Sequence, residues 1–496
     1  MLFSSSVFLF HFLPMVLLLH LLAGKRFRNT LLLAASLYFY AWGETLLVAI
    51  MLVSIACNYG FGLWVAHARE TGGRAKLAVG VAIAFDLGLL IVFKYANWLW
   101  ENLQLMFGSQ AAPLLGWAHP SDLFANAIGT GEGHLRLPIG ISFFTFQAMS
   151  YVIDVYRRDV AAQRNPVRFA LYISLFPQLI AGPIVRYRDI AVQLAERTVS
   201  RDEFASGVRR FVLGLGKKML IANTLAVPAD AIFALQPELL PANVAWIGIL
   251  CYSLQIYFDF SGYSDMAIGL GKMFGFDFLE NFRHPYVARS VTEFWRRWHI
   301  SLSSWFRDYL YIPLGGSRRG SARTAINLLI VFLLCGLWHG ASWSFVVWGL
   351  FHGGFLVLER VGLGERLRRL PRIAQHTYVI VACMLGWVFF RAADIEQAMT
   401  FIGSLFGTRG FSFESQPLHA FLESPAWLAL LAGIVGSTPW YSRLSERVEN
   451  CESESRLFAL TATARVGGVL LLSLVFGLSV MLLAAGTYNP FIYFRF

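Results

Sequence analysis

The sequence predicts an all-α polytopic membrane protein, and three observations carry that prediction. Of the 496 residues 57% are hydrophobic and 14% charged, with a mean hydropathy of +0.57, whereas soluble domains carry roughly 25% charged residues. Apolar runs of membrane length recur at Val7–Leu22, Leu46–Val65, Leu77–Leu99, Ala245–Leu270, Tyr378–Phe390 and Val466–Ala485. Those runs are continuous, and a bilayer-spanning β-barrel would instead show short alternating segments. A helix needs about 20 such residues to cross, because each backbone amide at that depth must be bonded within the chain. A soluble enzyme is excluded. The chain reads as one membrane domain over 1–496, with roughly ten to twelve crossings, re-entrant segments and a central chamber. Its core motif region is 137–358, and its C-terminal spans and aromatic tail occupy 373–496.

The first run is a span, not a cleaved signal. A signal peptide carries positive charge before its apolar stretch, yet here the positives follow, at Lys25, Arg26 and Arg28. Positive loops stay in the cytoplasm, so the N-terminus is expected to face outward. Further basic segments are Arg69–Lys76, Arg157–Arg168, Arg283–Arg323, Arg360–Arg372 and Arg443–Arg465. The loop Glu101–Arg136 differs, with three acids and one basic residue, and is expected outside. The net charge of +11 therefore reads as topology and contact with anionic lipids, not nucleic-acid binding, since the positives are scattered between spans. The five cysteines form neither a disulfide framework nor a metal site.

Two places break the zigzag. Phe169–Val185, interrupted by Pro177, Gly182 and Pro183, lies between basic flanks and is expected to dip in and return. Ala325–Glu359 is too long for one span and short for two, and holds Trp338-His339-Gly340-Ala341-Ser342-Trp343 at its centre. Irregular backbone at membrane depth must be buried in protein or line a cavity. Between them, Phe282–Leu310 interleaves Phe294, Trp295, Trp298, Trp305 and Phe306 with Arg296, Arg297 and Arg307, a mixture that suits a helix at headgroup level.

Burying an ionisable group in a span is expensive, so such residues are functional candidates. His339 and then His352 lead, each weighed against a structural histidine bonded to a neighbouring helix. Neither has metalloprotease spacing or a cysteine or carboxylate cluster, so no metal is expected. Asp259 and Asp265 read either as a cation or proton relay or, more simply, as partners of arginines or helix N–H groups. Asp308 stands in Trp305-Phe306-Arg307-Asp308-Tyr309-Leu310. Gly214-Leu215-Gly216-Lys217-Lys218 lacks the spacing of a phosphate-binding loop.

With these residues in view, the chain closely resembles the membrane-bound O-acyltransferase family, in its alginate O-acetylase branch. The resemblance rests on Leu137-Pro138-Ile139-Gly140, Ile180-Ala181-Gly182-Pro183, Tyr257–Gly269, Thr292–Leu310 and Trp338-His339-Gly340, and runs end to end. It implies that His339 is the essential histidine, that Asp308 falls where members carry a polar Asn or Asp partner, and that His352 is the branch's second histidine. It also implies acetyl transfer from a cytoplasmic donor, acetyl-CoA, with no permanently bound cofactor. The acceptor is an exported polysaccharide, with alginate ahead of cellulose, another exopolysaccharide or peptidoglycan. Separate periplasmic or membrane-anchored partner acetyltransferases, resembling SGNH hydrolases, are expected to complete the reaction. Thioester acyl transfer needs a base near neutral pH, which histidine supplies. Whether His339 is that base or briefly carries the acyl group stays open, and an ion-coupled transporter or an export scaffold are the alternatives from other classes. The tail Asn489–Phe496 is expected on the periplasmic side, either as an aromatic anchor or with Tyr493 as an acetyl acceptor.

Overall fold

The computed structural model describes residues 1–44, 47–108, 137–236, 240–411, 418–440, 454–490 and 492, with backbone alone over 454–465. Among them every regular element is helical, and eight helices are long and apolar enough to cross a membrane. These are α1 Val48–Glu70, α2 Ala75–Phe107, α3 Arg201–Phe233, α4 Ala242–Met273, α5 Ser321–His339, α6 Trp343–Arg369, α7 Arg372–Arg391 and α8 Val466–Ala484. Two shorter apolar helices, Phe8–Leu22 and Ser424–Gly436, lie beside them in the sequence. The protein is a multi-pass membrane protein. Of the expected outer loop, residues 109–136 lie outside the described residues.

The contacts divide the chain into two compact units, Met1–Phe204 with Gly271–Phe278, and Ala205–Leu270 with Leu279–Phe496. In the first unit α1 packs on α2 and on the helix Ile141–Arg157. A Cβ at Gly62 would stand 2.5 Å from the Tyr151 ring, so the close approach of α1 needs glycine there. The Asn58 amide donates to buried Asp86 at 2.8 Å. The stretch expected to dip in and return forms two short helices, Pro166–Ser174 and Phe176–Leu179, followed by irregular backbone. A nine-residue helix is about 14 Å long and cannot cross. Residues 171–187 are all buried, which satisfies the requirement for non-helical backbone in a membrane protein.

The second unit holds three departures from the sequence reading. The first is α3, which hydropathy overlooked because Arg209, Arg210, Lys217 and Lys218 interrupt it. Small residues let its backbone meet α4: a Cβ on Gly214 would stand 2.6 Å from the Gly262 carbonyl, and one on Gly269 2.6 Å from that of Gly207. This crossing seats the charges. Lys217 meets Asp265 at 2.6 Å, Arg210 meets Asp265 at 2.8 Å and Glu280 at 2.5 Å, and Lys218 meets Asp259 at 2.6 Å. The simpler reading of Asp259 and Asp265 is thus what the structure shows. Lys218 and Asp259 are 3% and 2% exposed, and deleting one partner of so buried a pair costs about 3–5 kcal/mol.

The second departure is the segment around His339. It is a hairpin of two full helices, α5 and α6, turning at residues 340–342. Each helix gains its length from residues beyond Ala325–Glu359. Glycines again set the approach, since a Cβ on Gly336 would lie 2.2 Å from the Phe345 carbonyl and one on Gly349 2.3 Å from that of Phe332. A hairpin returns to its own side, which accounts for basic segments at both ends.

Third, the aromatic side chains of Phe282–Leu310 are packed inside the protein. The segment forms short pieces, Pro285–Val287, Val291–Arg297 and Ile300–Phe306, and Phe294, Trp295, Trp298, Trp305 and Phe306 are all buried. Glu359 of α6 anchors the middle piece, accepting from the Val291 N–H at 2.6 Å, the Thr292 N–H at 2.9 Å, the Thr292 hydroxyl at 2.6 Å and the Tyr378 hydroxyl at 3.1 Å. Alternation of tryptophan with arginine looked interfacial, but the rings face protein.

Candidate active site

The anchored segment, the hairpin and α7 together build an aromatic cage around two histidines. His339 ends α5 and is 5% exposed. Its ring lies 4.9 Å from Trp338, 5.0 Å from Trp348 and 5.1 Å from Phe390, measured between centroids. His352, one turn after Trp348 on α6, is fully buried, with Trp295 and Trp348 each at 5.1 Å and Phe351 at 5.4 Å. Trp348 therefore separates the two imidazoles, touching both. Neither ring nitrogen of His352 has a hydrogen-bond partner among the described residues, so the pair does not form a direct proton relay.

The space for His352 is made by α7. A Cβ on Gly386 would stand 2.4 Å from His352 Nε2, and overpacking of this kind costs about 1–3 kcal/mol. The substitution Gly386→Ala is therefore expected to lower thermal stability in detergent and to displace the His352 ring. A melting curve together with an acetylation assay checks this, and an unchanged melting temperature would argue against the close contact.

A third histidine joins the site, and sequence reasoning passed over it. His299 is 1% exposed and caps the helix Ile300–Phe306 with φ +44°, a conformation rare for a residue with a Cβ. Its Nδ1 lies 3.1 Å from Asn281 Oδ1, which also accepts from the Ser301 N–H at 3.2 Å and hydroxyl at 2.9 Å. The Asn281 amide donates to Ser264 at 3.1 Å. An oxygen that accepts a backbone N–H can only accept from the imidazole as well, so Nδ1 carries the proton and Nε2 the lone pair. That Nε2 has no hydrogen-bond partner among the described residues. Burial pushes the His299 pKa down to about 3, so the ring is neutral at physiological pH. Its ring packs on Phe260 at 4.6 Å and faces Trp338, next to His339, at 6.1 Å. The only signal in the sequence was a histidine after Trp298, inside a stretch that read as interfacial.

Asp308 sits on the turn Arg307–Tyr311, and its carboxylate takes its chain neighbour Arg307 at 2.6 and 3.2 Å. Tyr493 lies outside the described residues. The structure thus gathers His339 and His352 in one cage and adds His299 through Trp338.

Buried imidazoles between indole walls suit proton transfer in a desolvated pocket. Comparison with known proteins points the same way. Residues 85–390 match the family model described as MBOAT, membrane-bound O-acyltransferase family. A probable alginate O-acetylase AlgI of Pseudomonas putida is 41% identical over all of both chains, and that of Azotobacter vinelandii is 40% identical, again over all of both. A peptidoglycan O-acetyltransferase of Helicobacter pylori is 34% identical over 83% of this chain and 81% of its own. With the family's model spanning the caged histidines and relatives matching from end to end, this chain belongs to the membrane-bound O-acyltransferase family, on its alginate O-acetylase branch, and is an O-acyltransferase.

Proposed function

We propose that this enzyme transfers acetyl from cytoplasmic acetyl-CoA across a bacterial inner membrane for O-acetylation of an exported polysaccharide, alginate before other polymers. The observation that carries this reading is the buried histidine cage inside a chain whose full-length relatives are named alginate O-acetylases. His339 takes the proton of an acceptor hydroxyl as that oxygen attacks the thioester carbonyl. The C–O bond forms, the C–S bond breaks, and the proton passes to the departing thiolate, giving an ester and free CoA. Position at the C-terminal end of α5 favours the protonated intermediate of His339, because a helix C-terminus stabilises a cation. His352 holds the opposite wall of the cage, and Asp308 is a polar contributor on the adjoining segment.

The first acceptor in this reading is Tyr493, which carries the acetyl group to a periplasmic or membrane-anchored partner acetyltransferase. Acetyl-CoA plus the tyrosine phenol gives acetyl-tyrosine plus CoA, so the bulky cofactor never crosses. A peptidoglycan acceptor is the second reading, favoured by the Helicobacter pylori relative. An ion-coupled transporter is disfavoured because Asp259 and Asp265 are both held by lysine or arginine. The acetate content of alginate, cellulose and peptidoglycan in a deletion strain tests the acceptor. Loss from alginate alone is expected, and normal alginate acetate would end that assignment.

The topology in this reading puts the N-terminus and the 101–136 loop in the periplasm and 283–323 in the cytoplasm, on their contrast in Lys and Arg. In intact cells an impermeant maleimide is expected to label a cysteine at Ser109 and spare one at Ser321. The opposite pattern would reverse the orientation and the side of donor entry.

A further inference from the structure

The chain's last described residues turn back along α3 toward its middle. After α8 the Tyr488 hydroxyl donates to Asp230 at 2.7 Å, a carboxylate that also takes Arg391 at 2.5 Å. The Asn223 amide donates to Asn489 at 3.1 Å, and the Lys218 ammonium donates to the Pro490 carbonyl. The Ile492 N–H then donates to Asp259 at 3.0 Å, and Ile492 is 6% exposed. Asp230, Asn223 and Lys218 succeed one another from the C-terminal end of α3 inward.

Lys218 stands near the middle of the 33 residues of α3, and Asp259 near the middle of the 32 residues of α4. Helices of that length run about 48 Å, against a hydrocarbon core of about 30 Å. The tail therefore engages its seat at mid-span. An interfacial anchor would sit at the span ends, where aromatic residues meet headgroups.

The pair has the chemistry for this task. An ammonium has three N–H donors and a carboxylate several lone pairs, so after binding each other both retain capacity. They give it to the Pro490 carbonyl and the Ile492 N–H, main-chain groups that at this depth need partners. Two apolar residues could pack here but could not bond that backbone. Asp259 also precedes Phe260, whose ring lies on His299.

We propose that the buried Lys218–Asp259 pair is a seat for the C-terminal tail, positioning its last residues for the histidine site. Its consequence for catalysis rests on the reading of Tyr493 as acetyl acceptor. Lys218 and Asp259 are positioning residues.

The test uses the purified full-length protein in detergent. Hydrogen–deuterium exchange is followed by mass spectrometry in the peptide covering 485–496, and acetate on the polymer is measured in cells. Two variants are compared with wild type. Lys218→Met with Asp259→Leu replaces the pair by apolar groups, a change that leaves helix packing sound. Ile492→Pro deletes the N–H that the tail gives to Asp259, and exchanges the buried isoleucine side chain for a smaller apolar ring, while Lys218 and Asp259 stay in place. Both are expected to speed exchange in the tail by about ten- to hundredfold, the factor for losing a hydrogen bond to a charged group. Exchange in α3 and α4 is expected to stay as in wild type, and acetylation to fall at least about tenfold, by the same factor. Wild-type tail exchange in both variants overturns the seat, and fast tail exchange with normal acetylation overturns its positioning role. A fully active Tyr493→Phe, alongside seat variants that free the tail and lose activity, removes the acetyl-acceptor reading and leaves the seat standing.

Discussion

Replacing His339 by alanine is expected to abolish acetylation while leaving protein level and membrane insertion unchanged. Loss of a general base alone lowers rate by about 10²- to 10⁴-fold, and the cage around His339 leaves little room for a substitute from solvent. Its ring is held between Trp348 and Phe390 and beside Trp338, so alanine opens a cavity in an otherwise complete wall. The cavity left by truncating the buried ring, smaller than that left by a Phe or Trp ring, lowers stability. For that reason the assay is normalised to folded protein in the membrane. His339→Gln, which keeps bulk and a hydrogen-bonding group but cannot cycle a proton, is expected to be equally inactive and better folded. More than about a tenth of wild-type acetylation in His339→Gln would make this a structural histidine, because a lost base costs at least about a hundredfold.

Tyr493→Phe is expected to stop polymer acetylation as completely as the histidine variants. The change keeps the ring and its apolar contacts and deletes one oxygen, so an anchoring role would survive it. A phenol can accept an acyl group once a base takes its proton, and phenylalanine cannot. The same variant incubated with labelled acetyl-CoA is expected to show no label in the C-terminal peptide, where wild type does. Normal acetate on the polymer from Tyr493→Phe cells would return the tail to the role of an anchor.

Much of this protein was legible because its chief determinant is local. Hydropathy over 20 residues fixes where a helix can cross, and α1, α2, α4, α7 and α8 fall where apolar runs predicted them. His339 stood out on similar grounds, as an ionisable group flanked by tryptophan in an apolar stretch. What the sequence hid was long-range pairing. Lys217 and Lys218 broke the hydropathy of α3 because their partners, Asp265 and Asp259, lie more than forty residues away on α4. A charge reads as a loop until its counter-charge is known, since burial becomes tolerable only in the pair. The aromatic segment before residue 310 failed for the same reason in reverse. Whether Trp295 and Trp298 meet lipid or protein depends on Glu359, some sixty residues on, capping the helix that carries them.

Composition and apolar runs by themselves determined an all-helical membrane protein with a histidine flanked by tryptophan deep in an apolar stretch. Tertiary structure alone decided the rest: the hairpin of α5 and α6, the inclusion of His299 and the inward return of the tail. Each of those depends on glycine contacts or hydrogen bonds between residues distant in the chain. Such contacts exist only once the helices have met.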